Sequence, residues 1–175
     1  MLIILMGVSG SGKTTIGNLL SERTNIPFFD GDDFHPEINI RKMSEGTPLT
    51  DQDRVAWIEE IAEFMNNSAA KYKILACSAL SSFIRELIVN KINESCYFIF
   101  LKGDFGLIKK RMDKRGKHYM KSGMLASQFK TLEEPENALI INIDDSPDQI
   151  CDVINNALRE YEGQHKWRKV KCRSD

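Results

Sequence analysis

No apolar run in the 175 residues approaches the ~20 residues of a membrane span. The first apolar stretch, residues 2–6, is short and runs straight into glycines, so it does not read as a signal peptide either. Charge of one sign is also missing: 24 Lys and Arg face 25 Asp and Glu, for a net charge of −1 with neutral histidines. That balance gives no overall electrostatic reason to expect nucleic acid or an anionic membrane as partner. The four cysteines, Cys77, Cys96, Cys151 and Cys172, have neither C-x-x-C spacing nor a neighbouring histidine cluster. Reduced thiols in a cytoplasmic protein are the expectation. Internal repeats and low-complexity linkers are absent too, and the length suits one domain with a sound core.

Against these absences stands one stretch, Gly7-Val8-Ser9-Gly10-Ser11-Gly12-Lys13-Thr14, which fits the phosphate-loop pattern G-x-x-x-x-G-K-[ST] throughout. Glycines let the backbone bend round an anion so that successive N–H groups point at phosphate oxygens, and the following helix adds its dipole. The pattern has Lys13 reach the β- and γ-phosphates and the Thr14 hydroxyl ligate their magnesium, with Thr15 completing the nucleotide-binding run. An ordinary glycine-rich helix entry is the competing reading. Context weighs against it, because Leu2-Ile3-Ile4-Leu5-Met6 reads as a buried parallel strand and residues 14–23 as a helix.

Further along, residues 26–29, 73–77, 97–101 and 138–143 read as four more short strands, separated by segments with helical periodicity. This alternation predicts an α/β, three-layer fold with a five-stranded parallel sheet flanked by helices. Asp30-Gly31-Asp32-Asp33 falls beyond the carboxyl end of the second strand, where open α/β sheets bind ligands. Alone, three carboxylates in four positions would suit a solvated turn; beside a phosphate loop they suit magnesium and substrate chemistry. Residues 34–49 read as short helical turns and loop over that site. Thr50 and Asp53 then form a capping box for a helix to about residue 70, with Val55, Ile58, Ile61, Ala62 and Met65 on its apolar face.

Residues 111–118 are rich in Lys and Arg, as either a solvated helix face or a mobile lid, about 111–125, whose arginines close on ATP. In the last helix Ser146, Pro147 and Gln149 supply the start signal, and Ile150, Val153, Ile154, Ala157, Leu158 and Tyr161 form the buried stripe. Residues 1–162 thus read as a single phosphate-loop domain and 163–175 as a basic tail. The tail's Lys, Arg and Trp167 suit either a frayed terminus or RNA.

With these residues set out, the chain resembles the gluconate kinases, small phosphate-loop kinases akin to shikimate and adenylate kinases. The stretch that carries the likeness is Asp30-Gly31-Asp32-Asp33-Phe34-His35-Pro36, followed by Asn39, Lys42, Arg54, Trp57 and Cys77-Ser78-Ala79-Leu80. Arg85, Arg111, Arg115, His118 and Ser127-Gln128-Phe129 extend it. The resemblance implies strand order 2-3-1-4-5 and transfer of the ATP γ-phosphoryl group to the 6-hydroxyl of D-gluconate with Mg2+; it also allows a homodimer.

By the same resemblance, Asp30 joins Thr14 at the metal and Asp32 takes the hydroxyl's hydrogen bond. Arg54, aided by His35, faces gluconate's carboxylate, unless it only pairs with Asp51 or Asp53. Arg111 and Arg115 close over ATP as catalytic lid residues beside Lys13, and His118 and Gln128 contact substrate or brace the lid. Ser78 either contacts substrate or caps the following helix. Three positions depart from the family pattern: Ser81 for a lysine, Ile84 for a tyrosine and Ala56 for a proline. Two rival functions remain open: phosphorylation of another polyhydroxy acid such as shikimate, and nucleotide-dependent regulation or RNA association through the tail.

Overall fold

Every residue of β1 (Leu2–Met6) is buried, because a strand inside a parallel sheet is covered on both faces. Its alternation divides the core. Leu2, Ile4 and Met6 pack with Trp57, Ile58, Ile61, Ile84 and Ile88 on one face, while Ile3 and Leu5 pack with Ile16, Leu20, Ile150 and Ile154 on the other. The computed structural model describes residues 1–114 and 122–163 of the chain.

β1 pairs in parallel with β3 (Lys73–Ala76) and β4 (Cys96–Lys102). The edges are β2 (Phe28–Asp30), against β3, and β5 (Leu139–Asn142), against β4, so the order is 2-3-1-4-5, as expected. Helices α1 (Lys13–Thr24) and α7 (Pro147–Gly163) cover one face, and α3 (Asp51–Asn67) and α4 (Ser82–Lys91) the other. Because the strands are parallel, the segments after β1, β2 and β3 emerge at one end of the sheet, and the site is built there.

The expected start signals hold in detail. Thr50 and Asp53 exchange bonds as a capping box, and Ser146 and Gln149 do the same ahead of α7. Between β2 and α3 the chain carries more helix than its weak periodicity shows: a 3-10 turn, Gly31–Phe34, leads into α2 (Glu37–Ser44).

Two apolar faces are corrected. In α3, Trp57 is 2% exposed while Val55 is only partly covered, because the amino end of the helix lies against the 3-10 turn, where the indole bonds the Gly31 carbonyl. In α7, Val153 is 49% exposed and Cys151 takes the buried place, its thiol against the Ile16 carbonyl of α1. With 3.6 residues per turn, positions 150, 151, 154 and 158 share one stripe, and 153 falls off its edge. Cys77, Cys96 and Cys151 are free thiols, and among the described residues no helix is long and apolar enough to cross a membrane.

Candidate active site

The loop after β1 turns through Gly7, Gly10 and Gly12 at φ of 143°, 83° and 101°, a region that L side chains rarely enter. Gly12 is the N-cap of α1, and neither a side-chain cap nor an acid in the first turn meets the helix's leading amides. Such an end suits an anion. Lys13 folds back and donates to the carbonyls of Gly7 (2.9 Å) and Val8 (3.1 Å), while the Val8 side chain lies in the core. Burial lowers the Lys13 pKa, and the nearby Asp32 carboxylate opposes that shift. The Ser11 hydroxyl is buried inside the loop without a hydrogen-bond partner.

β2 delivers the acids. The Asp30 carboxylate accepts from Thr14 Oγ1 at 2.7 Å and from the Asp32 amide at 3.2 Å, so one side chain ties the phosphate loop to the 3-10 turn. Gly31 has no room for a side chain, since a Cβ would sit 2.5 Å from the Ala76 carbonyl oxygen and 3.3 Å from the Trp57 ring. Trp57 donates its indole N–H to the Gly31 carbonyl at 2.7 Å and stacks on His35, with ring centroids 4.3 Å apart. Asp32 therefore has its backbone held from both sides and its carboxyl on the cleft wall. Although that carboxyl is open to solvent, loss of hydration in the concave surroundings raises its pKa, against the pull of Lys13.

A cavity of about 110 Å³ joins these pieces, with Lys13, Asp32, His35 and Arg54 on one part of its wall and Ser78, Ser127 and Gln128 on another. The last two belong to α6 (Ser122–Thr131). Such a cleft sets an anion cradle, a hydroxyl acceptor and a fork for a carboxylate around one small volume. That combination fits phosphoryl transfer to an acidic alcohol.

The matches with known proteins agree. A family model described as shikimate kinase fits residues 9–159. The thermoresistant gluconokinase of Escherichia coli (strain K12) is 40% identical over 147 residues, 81% of this chain and 83% of its own. The chain belongs to the gluconokinase family. A solved gluconokinase from Sinorhizobium meliloti 1021 superimposes with a TM-score of 0.81 at 35% identity, over 93% of this chain and 97% of that one. A shikimate kinase from Aquifex aeolicus, at 20% identity and a TM-score of 0.59, shares the fold. Family members are ATP-dependent kinases that use Mg2+. Thr14 and Asp30 fit that ion, since their hard oxygens stand 2.7 Å apart beside the loop and magnesium prefers oxygen ligands.

Several expected roles look different once partners are visible. Arg54 lines the cleft but also pairs with Asp51 at 2.9 Å, so both of its expected roles have a geometric basis. Arg111, on α5 (Phe105–Lys114), donates to the Ile143 carbonyl at 2.6 Å and does not line the cleft; the expected lid arginine is engaged at the end of β5. Arg115 and His118 lie outside the described residues, as do residues 164–175 of the tail. Thr15 is exposed on the first turn of α1.

Ser78 is not the cap of α4. Its carbonyl accepts from the Gly7 amide at 3.2 Å, and Ser81 caps the helix by accepting from the Ile84 amide. The serine that replaces the gluconokinase lysine thus has a structural use, and Ile84 is buried beside it. Cys77 is no nucleophile, because burial pushes its thiol up to about 12.

Two residues that the resemblance marks without a role gain one here: Trp57, set one step off the apolar face read for α3, and Asn39, which reaches the Asp53 carbonyl at 2.9 Å and His35 Nδ1 at 3.5 Å. His35 itself is neutral, its pKa pushed down to about 4 by burial. Asp32, 3.9 Å away and in solvent, does not offset this. Between about pH 6.5 and pH 4 the unfolded chain binds a proton that the folded His35 refuses, so stability is full above that window and falls as acid is added. The ceiling is about 3 kcal/mol, or about 2 kcal/mol after discounting for cleft water. Urea unfolding at pH 7 and pH 4.5 should show His35→Gln losing about 2 kcal/mol less than the parent over that interval. Equal losses would place a protonated histidine in the folded cleft.

Proposed function

We propose that the chain is a gluconokinase that transfers the γ-phosphoryl group of ATP to the 6-hydroxyl of D-gluconate, giving ADP and 6-phospho-D-gluconate. The observation that carries this is the single cleft onto which Lys13, Asp32, His35 and Arg54 converge. In this reading the loop amides and Lys13 hold the donor phosphates. Magnesium, which Thr14 and Asp30 would hold, would add charge neutralisation of the donor phosphates. The 6-oxygen forms its bond to the γ-phosphorus as the bond to the β–γ bridging oxygen breaks. The hydroxyl proton passes to Asp32. Arg54 offers a planar fork to the C1 carboxylate at the far end of the chain of hydroxyls, and neutral His35 offers a ring nitrogen to a hydroxyl.

The same reading takes residues 1–162 as one kinase domain in a cytoplasmic setting, where free thiols persist. A coupled ADP-release assay with ATP and magnesium should show turnover with gluconate and little with ribose, glucose or shikimate. In the same assay Arg54→Ala should raise the KM for gluconate about tenfold or more while moving that for ATP less than twofold, the loss expected of a charge-assisted contact. Turnover with shikimate in place of gluconate would overturn the substrate assignment. An unchanged gluconate KM would leave Arg54 as only the partner of Asp51.

A further inference from the structure

Helix α6 connects the two halves of the cleft. Just past its carboxyl end, Glu133 donates its N–H to the Leu80 carbonyl at 2.9 Å and accepts from the Ser82 amide at 2.9 Å. Arg85 gathers the carbonyls of Ala79 (3.1 Å), Leu80 (3.1 Å) and Glu133 (3.0 Å) onto one nitrogen. This knot holds the turn after β3, where Ala79 takes a left-handed φ of 43° next to Ser78 on the cleft wall. One end of α6 is thereby fastened to the cleft wall on the Ser78 side.

Midway along α6, Gln128 grips the phosphate loop. Its Oε1 accepts from the Ser9 amide at 2.7 Å and its Nε2 donates to Ser9 Oγ at 3.1 Å. Ser9 and Gln128 both face the cavity that holds Lys13 and Asp32, so this corner of the loop is where the last donor phosphate would meet the acceptor. A main-chain N–H there is a natural phosphate donor, and an anionic oxygen makes a stronger bond to it than a neutral carboxamide does.

We propose that Gln128 is a positioning residue that makes sugar-acid binding depend on the γ-phosphate. The γ-phosphate takes the Ser9 N–H, and the released carboxamide turns to the hydroxyls of the acceptor. ADP has no γ-phosphate and leaves Gln128 on Ser9. The sugar acid therefore binds tighter to the ATP-loaded protein than to the ADP-loaded one, which disfavours a dead-end complex of ADP with the unphosphorylated acid. This rests on the gluconokinase reading above.

The test is calorimetric titration of gluconate into full-length protein saturated with magnesium and either an imido-bridged ATP analogue or ADP. The unmodified protein should bind gluconate at least about fivefold tighter with the analogue, the lower end of ordinary coupling between sites. Gln128→Ala should bring that ratio to within twofold of one. Gln128→Glu keeps an acceptor for Ser9 but repels the γ-phosphate, so it should weaken the analogue about tenfold while leaving ADP affinity nearly unchanged. A brace that merely stiffened the loop would shift both nucleotides together and leave the ratio intact. A preserved ratio in Gln128→Ala, or a ratio near one in unmodified protein that turns gluconate over, overturns the coupling alone. Absence of gluconate turnover would bring down the gluconokinase reading and the coupling with it.

Discussion

Replacing Lys13 with Ala should lower phosphoryl transfer on the order of 10³-fold or more while leaving the chain folded. The ammonium sits on the Gly7 and Val8 carbonyls inside the loop, and in the proposed reaction it would neutralise the donor charge that builds up in the transition state. Burial has removed much of its hydration, so its field is less screened than that of a surface lysine. Stability has little to lose. Lys13 is the first residue of α1, where a positive charge opposes the helix dipole, so the alanine variant should melt at the same temperature or a few degrees higher. The measurements are steady-state ADP release and a thermal melt on the same sample. Near-normal turnover would detach the loop from the reaction, whereas a collapsed melt would show that the lysine had been holding the loop together.

How far these roles were legible in the sequence depends on the range of the interaction that fixes each one. The phosphate loop, the capping boxes and the continuous apolar strands follow from forces acting over a few residues, and they emerge where the sequence puts them. The parallel sheet follows from strands alternating with helices, whereas its order 2-3-1-4-5 was legible only through the family resemblance. Pairings that bridge distant segments are another matter. The grip of Gln128 on Ser9 spans 119 positions and the reach of Arg85 to Glu133 spans 48, and no periodicity reports either.

Local ambiguity accounts for the remainder. Ser78 and Ser81 are both plausible caps, and only the backbone geometry picks the second. Arg54 is three residues from one acid and faces the cleft as well, so spacing alone could not choose between its partners. Val55 fits a helical stripe better than Trp57 does, yet the indole finds a carbonyl and an imidazole that the stripe cannot foresee.

That indole also explains why a second substitution should be nearly as damaging as the first. Asp32→Asn should lower kcat by about 10²- to 10³-fold, the range for loss of a positioned general base, with the KM for ATP changed less than about twofold. The substitution keeps size and leaves the turn intact, because the turn is held by other atoms: Asp30 on the Asp32 amide, Trp57 on the Gly31 carbonyl, and Ala76 against Gly31. Asp30 and Thr14, not Asp32, form the pair suited to the metal, which separates loss of proton acceptance from loss of magnesium.

The pH profile provides an independent check. Loss of hydration raises the Asp32 pKa, with the carboxylates of Asp30 and Asp33 adding to the effect and Lys13 opposing it. The parent enzyme should therefore lose activity on acidification at a higher pH than an ordinary carboxylate would give, since the protonated acid cannot accept the hydroxyl's proton. Asp32→Asn should show a low rate with that acid limb removed. A variant within about threefold of the parent kcat, or one that kept the same limb, would make Asp32 a structural acid and leave proton removal to water.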